Sequence, residues 1–178
     1  MLYKLRININ LDISSFINLF SINHPNIHVY SQNDSQEFLR IFLNDINLEL
    51  NECNGLITYE EIIYNLSDTK LEIYKKYNTV FNKREKSIIT DLFYIGLINK
   101  FICTCNYETY SFENLLDLTL LLPTDINITN VKLDHLLNEY FKTTNSEFNT
   151  VCNYCKKICV HKKEIKINKL PDILIISI

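Results

Sequence analysis

Tryptophan is absent from this 178-residue chain, glycine occurs twice, proline three times and methionine once. With so little glycine and proline, the turns have to be made by asparagine and aspartate. Both tolerate left-handed backbone and hydrogen-bond their own main chain. The abundance of Asn and Ile, together with the missing Trp, fits an AT-rich coding sequence. No apolar run approaches the roughly 18 residues a membrane-crossing helix needs. The opening "MLYKLRININ" has neither an apolar core nor a small-residue cleavage site, so it does not read as a secretory signal. A basic stripe is also missing. Lys and Arg are scattered except for a short run from Lys156 to Lys166, and the net charge is -3. These absences argue against a nucleic-acid binder and against a membrane protein, and they place the chain in the cytoplasm or nucleus. No internal repeat is visible.

What is present is a globular composition, 47% hydrophobic and 22% charged, in a chain long enough for one domain with a real core. From about Asp34 to Glu52, Phe38, Phe42, Ile46 and Leu50 recur every four residues, and Leu39 and Leu43 widen the stripe. That spacing predicts an amphipathic helix, with Ser31 or Asp34 as its cap and Gly55 as its stop. A short helix is expected around Phe16 to Phe20, ending before Pro25, and one or two more between Tyr59 and Lys83. After Gly96 the pattern turns to strands: "LINKFIC", "YSFENLLDLTLLLP" ending at Pro123, "ICVHKKEIKINKL" and a buried run "DILIISI". A helix, "VKLDHLLNEYFK", interrupts them. The fold class is α+β, helical first and β-rich second.

Six cysteines in a chain without a secretion signal are expected to be reduced, and reduced cysteines in close pairs suggest a metal. Cys152 and Cys155 have the two-residue gap of a zinc knuckle. Cys103 and Cys105 are separated by one residue; on a strand, residues two apart share a face, so chelation is still open to them. The competing reading is of unrelated cysteines, and Cys159 is an alternative ligand in place of Cys105. Cys53, at a helix end, reads as packing. None of His24, His28, His135 and His161 lies in a recognisable catalytic setting. Asp34 and Glu37 open the long helix one turn apart. They serve either as capping groups or as carboxylates that receive a cationic partner.

Five stretches, taken in order, resemble one family. "QNDSQEFLRIFLNDINLELN" is similar to the Gln-Gln-Asp-Ala-x-Glu-Phe-Leu helix of the ubiquitin-specific proteases, papain-like cysteine deubiquitinases. "KSIITDLFYIGLINKFICTC" resembles the segment leading into that family's first zinc cysteine pair, and "YSFENLLDLTLLLP" the strand after it. "LDHLLNEYFKTTNSEFNTVCNYCKK" resembles the helix and second cysteine pair, and "KINKLPDILIISI" the Leu-Pro-x-Ile-Leu strand. The resemblance implies a partial papain-like domain over residues 1–178, with a mostly helical thumb-like part over 1–95. β-rich fingers with a zinc ribbon and the first palm strand then occupy 96–178. It implies structural zinc on Cys103, Cys105, Cys152 and Cys155, and ubiquitin or ubiquitinated proteins as partners. Gln32 takes the first position of the helix motif, and Asp34 and Glu37 match acidic residues that receive the arginine-bearing tail of ubiquitin.

The chain also departs from that pattern. Asn33 replaces the second Gln, Gly96 falls three residues after Phe93 and not two, and the first cysteine gap is one residue short. Nothing before Gln32 resembles the family's Asn-x-Gly-Asn-x-Cys-Tyr nucleophile box, and its Gly-His-Tyr base box is not found. The expectation is an internal piece of a protease domain, inactive by itself. The alternatives are a ubiquitin-binding pseudo-protease and a zinc-ribbon adaptor.

Overall fold

A computed structural model describes residues 12–27, 31–53, 62–123, 130–146 and 149–178. The chain forms two compact units, residues 1–43 and 44–178. The expected stop at Gly55, the N-terminal stretch and His28 lie outside the described residues.

In the first unit, helix α1 (Ser14–Asn23) stands where a short helix is expected. It carries Phe16 and Phe20 one turn apart. Phe20 meets Phe38 at 5.2 Å, and Phe16 meets Phe42 edge-on at 5.7 Å. Phe38 and Phe42 stack at 5.9 Å, so a ladder of four rings joins the two helices, with Phe20 buried and Phe38 at its exposed edge. His24, half-buried, packs its ring on Phe20 at 4.7 Å, a packing role.

Helix α2 (Ser35–Glu49) is the long amphipathic helix. Asp34 is its cap: its Oδ1 accepts hydrogen bonds from the amides of Gln36 at 2.7 Å and Glu37 at 3.3 Å. The expected stripe is displaced along its C-terminal half. Leu43 is buried, while Leu50 is exposed and belongs to the turn after the helix. Asn47 is buried in its place. Its carboxamide oxygen accepts from the hydroxyl of Ser87, itself buried. Periodicity cannot announce such a residue, because its burial depends on a partner 40 positions away.

Helix α3 (Lys70–Arg84) occupies the later part of the helical region expected from Tyr59. It begins with a capping box in which Thr69 and Glu72 exchange side chain-to-amide bonds. Helix α4 (Ile88–Phe93) is capped by Ser87, the same hydroxyl that reaches Asn47.

Strands β1 (Ile95–Ile102) and β2 (Glu108–Leu115) form an antiparallel hairpin. Strand β7 (Lys162–Lys169) pairs with the other edge of β1, and β4 (Thr144–Asn145) with β7. The sheet order is β2-β1-β7-β4, so β1 is central. Both of its faces are covered, which is why its first five residues are buried without alternation. On one face Ile98 and its cross-strand partner Phe112 meet Ile73 of α3, with Tyr74 and Tyr77 beside them. On the other, Ile95 and Leu97 pack with Leu118, Leu120 and Leu136. Leu136 comes from α5 (Leu133–Tyr140), which falls inside the expected helix "VKLDHLLNEYFK". At Gly96 an added Cβ would lie 3.1 Å from the Cβ of Lys169, so glycine is what lets the two backbones approach there.

Two expected strands differ. "YSFENLLDLTLLLP" breaks after Leu115, and only β3 (Leu118–Thr119) continues it. Asp117 turns inward between the two pieces, where its carboxylate accepts from the hydroxyls of Ser177 at 3.1 Å and Thr119 at 3.5 Å. "DILIISI" yields only β8 (Ile176–Ser177), parallel to β3, with Ile173, Leu174 and Ile178 exposed. The remaining hairpin joins β5 (Thr150–Val151) and β6 (Ile158–Cys159).

Candidate functional site

The two cysteine pairs sit at the tips of two hairpins, and the tips are built alike. After β1, the amide of Cys103 donates to the carbonyl of Tyr107 at 2.9 Å, and the amide of Asn106 returns to the carbonyl of Cys103 at 2.9 Å. After β5, the amide of Cys152 donates to the carbonyl of Lys157 at 3.0 Å, and the amide of Lys156 returns to the carbonyl of Cys152 at 2.9 Å. In each tip the residue after the second cysteine is left-handed: Asn106 at φ 64° and Lys156 at φ 61°. The first tip closes on a four-residue turn and the second on a five-residue one. The short gap between Cys103 and Cys105 is therefore a shorter turn of the same design. Cys103 and Cys105 do not converge by sharing a strand face, as the spacing suggested. They converge because both flank a turn.

The four sulfurs of Cys103, Cys105, Cys152 and Cys155 all lie within 4.8 Å of one another. Each close contact crosses between tips: Cys103 to Cys155 at 3.8 Å and Cys105 to Cys152 at 3.8 Å. Four sulfurs bound tetrahedrally at about 2.3 Å from one ion stand about 3.8 Å apart. The donor set therefore fits a single thiophilic cation. Cys103 and Cys152, the first of each pair, are 2% and 3% exposed, whereas Cys155 is half-buried and Cys105 is exposed, so the site is shielded on one side and open at Cys105. Tyr107 of one tip stacks on Tyr154 of the other at 5.3 Å, nearly parallel, and clasps the two turns outside the sulfurs. The Tyr107 hydroxyl donates to the carbonyl of Leu66 at 3.1 Å.

The sulfurs share protons unevenly. The amide of Cys105, aimed at the Cys103 sulfur, works against burial with help from the thiols of Cys159, Cys105 and Cys152. Together they pull the Cys103 thiol down to about 5. For Cys105, the amide of Tyr107 favours the thiolate, but burial and the sulfurs of Cys103, Cys155 and Cys152 outweigh it and push that thiol up to about 12. The first negative charge thus settles on Cys103 and resists a second beside it. A divalent cation reverses that balance, because it favours the thiolate at every ligand.

Cys159 lies outside the four-sulfur group, yet its sulfur is 3.4 Å from that of Cys103. His161 is buried beside the same pair. By sequence alone His161 has no role and Cys159 is an alternative ligand in place of Cys105. Only the pairing of β1 with β7, which sets Ile102 opposite Lys162, brings Cys103 next to them. Cys53 donates its thiol to the carbonyl of Asn82 at 3.2 Å, a packing role as expected.

Gln32, Asp34 and Glu37 are exposed at the start of α2. Asp34 caps the helix through one carboxylate oxygen. They lie in the first unit and the sulfurs in the second.

Among the described residues, no helix is long and apolar enough to cross a membrane. The fold is similar to a solved SAGA DUB module, Ubp8/Sgf11/Sus1/Sgf73, bound to monoubiquitin. The TM-score is 0.59 at 21% identity, over 92% of this chain and 31% of that one. The chain is 28% identical to ubiquitin carboxyl-terminal hydrolase 21 of Homo sapiens over 176 residues, which is 86% of this chain and 30% of that protein. It is 29% identical to ubiquitin carboxyl-terminal hydrolase Usp2 of Drosophila melanogaster over 163 residues, 89% of this chain and 17% of that protein. It therefore spans less than a third of the length of either relative. The family model described as "Ubiquitin carboxyl-terminal hydrolase" matches residues 4–178, which takes in both hairpin tips and all five motifs read from the sequence. The chain belongs to the ubiquitin carboxyl-terminal hydrolase family.

Proposed function

We propose that this chain is the ubiquitin-gripping part of a deubiquitinase domain, with a structural zinc ion on Cys103, Cys105, Cys152 and Cys155. The observation that carries the reading is the convergence of four sulfurs at 3.8 Å cross-tip spacing, in a chain matched by the family model nearly end to end. When bound, zinc supplies four strong bonds to sulfur and stays redox-inert. The protein supplies the rest: two rigid turns, amides aimed at the sulfurs and an aromatic clasp. Joined tips give the β1–β2 hairpin a fixed outer end on which a globular partner can rest. The exposed carboxylates of Asp34 and Glu37 suit the arginines of the ubiquitin tail, since carboxylate and guanidinium make charge-assisted bonds.

Titration of isotope-labelled ubiquitin with the chain tests this reading. Chemical-shift changes are expected at the ubiquitin tail and at one face of its body. Asp34→Asn keeps a capping oxygen and removes the charge, so it should weaken binding about tenfold, the loss of roughly 1.4 kcal/mol. Unchanged spectra up to about 1 mM ubiquitin, a concentration that reveals contacts worth only about 4 kcal/mol, would overturn the proposal.

Hydrolysis is a separate matter. It requires an activated thiolate with a neighbouring imidazole and an orienting side chain. No box carrying such groups is read from the sequence, and His161, which groups with Cys103 and Cys159, sits beside the sulfur cluster. The 178-residue chain is therefore expected to stay unlabelled by a ubiquitin–vinyl sulfone probe. A covalent adduct at any cysteine, located by peptide mass mapping, would contradict that expectation.

A further inference from the structure

We propose that the fingertip holds a second divalent ion, bound by Cys103, Cys159 and His161, with the Cys103 sulfur bridging the two metals. The inference rests on the four-cysteine reading above and extends it.

The ligand atoms of these three residues lie within 4.8 Å of one another, and this group shares only Cys103 with the four-sulfur group. The Cys103 and Cys159 sulfurs are 3.4 Å apart, closer than either 3.8 Å contact in the four-sulfur group. A single ion with Cys159 replacing Cys105 would require the sulfurs to move, because Cys159 stands outside that group. Two ions keep every sulfur in its own group and ask only that the 3.4 Å Cys103–Cys159 pair open slightly toward the roughly 3.8 Å of tetrahedral thiolates. A thiolate sulfur has lone pairs enough for two metals, and Cys103 is the one sulfur common to both sets.

His161 is prepared as a ligand. It is 6% exposed, and its Nδ1 lies 3.0 Å from the Thr150 hydroxyl oxygen. With Nδ1–H donating to that oxygen, Nε2 keeps its lone pair for a metal. This is how metal-binding histidines are commonly oriented. The support is rigid. Thr150 is the cross-strand partner of Cys159 in the β5–β6 hairpin. The backbone of His161 is pinned by Ser146 on both sides: its amide donates to the Ser146 hydroxyl at 3.0 Å, and its carbonyl accepts from the Ser146 amide at 2.7 Å. The β5–β6 hairpin thus places Cys159 and the His161 ring, while Ser146 holds the His161 backbone.

Two thiolates and an imidazole suit zinc or another borderline-soft divalent ion, with a fourth position left for water or an incoming donor. Charge supports a second ion. Four thiolates around one dication carry a net charge of -2. Five thiolates and a neutral imidazole around two dications carry -1, beside Lys156, Lys157 and Lys162 in the sequence.

The test is metal stoichiometry on the full chain, prepared without chelator and dialysed against a small excess of zinc, by native mass spectrometry and elemental analysis. Two ions per chain are expected, falling to one in Cys159→Ser and in His161→Ala. One ion in the unsubstituted chain overturns the second site and leaves the four-cysteine site standing; none overturns both. Two ions retained in both variants also overturn it. Alkylation reads the same question without any variant. With two equivalents of zinc Cys159 should resist iodoacetamide, and with one it should react. Equal reactivity at one and two equivalents counts against the proposal.

Discussion

Stripping zinc from the loaded chain with a strong chelator should lower its melting temperature by roughly 10 °C, with the loss concentrated at the hairpin tips. The magnitude follows from linkage. A ligand present at about a thousand times its dissociation constant stabilises the folded state by about 4 kcal/mol, and in a domain of this size each kcal/mol moves the midpoint by about 2–4 °C. The location follows from the structure. Strands β5 and β6 are two residues each and pair with each other alone, far too little to hold a hairpin in water. What fixes them is the set of cross-tip contacts, Cys103 to Cys155 and Cys105 to Cys152, together with the Tyr107–Tyr154 stack. Without the cation, the low-lying Cys103 thiol resists a second thiolate beside it and Cys105 and Cys159 are pushed up, so the tips are joined by S–H contacts to sulfur instead of metal–sulfur bonds. Hydrogen exchange should then speed up at the amides of Cys152, Lys156, Cys103 and Asn106, whose turn bonds define the tips. The amides of Ile98 and Asn99, in the central strand, should stay protected. A melting point unmoved by the chelator would mean that the sulfurs meet for packing alone.

Much of this architecture was legible because it rests on local patterns. The helix near Asp34 is written in a four-residue hydrophobic recurrence and a capping residue, and α2 forms there. The cysteine pairs are written in their spacing. The harder features are those whose cause lies far off in the chain. Asn47 is buried because Ser87 meets it, and Ser87 is itself committed to capping α4. Asp117 interrupts a run of strand-forming residues because its carboxylate is held by Ser177, 60 positions later. "DILIISI" has the composition of a buried strand, yet it pairs for only two residues and leaves three of its apolar side chains exposed. The turn at Cys103 was anticipated only as a departure in spacing. That one tip is the other shortened by a residue emerges from the paired amides and the two left-handed residues. Of those, Asn106 is a common choice and Lys156 is not. His161 remained without a role because its partners arrive through the β1–β7 register and the β5–β6 hairpin, neither of which composition encodes.

Leu97→Ala should destabilise the second unit by about 3–4 kcal/mol, while Leu121→Ala should change stability by less than about 0.5 kcal/mol. Both leucines lie in stretches that read as strands, so the contrast isolates position from composition. Leu97 is 0% exposed, in the middle of the cluster formed by Ile95, Leu118, Leu120 and Leu136. Truncation there removes three carbons and leaves a hole, and the strand cannot collapse to fill it. Strand β1 is hydrogen-bonded on both edges, to β2 and β7, and covered on its other face by Ile73 and Phe112 around Ile98. Leu121 is 85% exposed and loses almost no burial when shortened. Urea unfolding followed by circular dichroism should place the Leu97→Ala midpoint about 1.5–2 M lower, taking a slope near 2 kcal/mol per molar. Against a typical total of about 5–15 kcal/mol, that is a large share of the stability. The loss bears on the cysteine cluster as well. Cys103 follows directly on the end of β1, six residues and about 20 Å from Leu97. Excess zinc should therefore recover part of the lost stability, since holding Cys103 in the cluster also holds the end of its strand. If Leu97→Ala costs under 1 kcal/mol, or zinc leaves its midpoint unmoved, the two-faced core around β1 is not what positions the first cysteine pair.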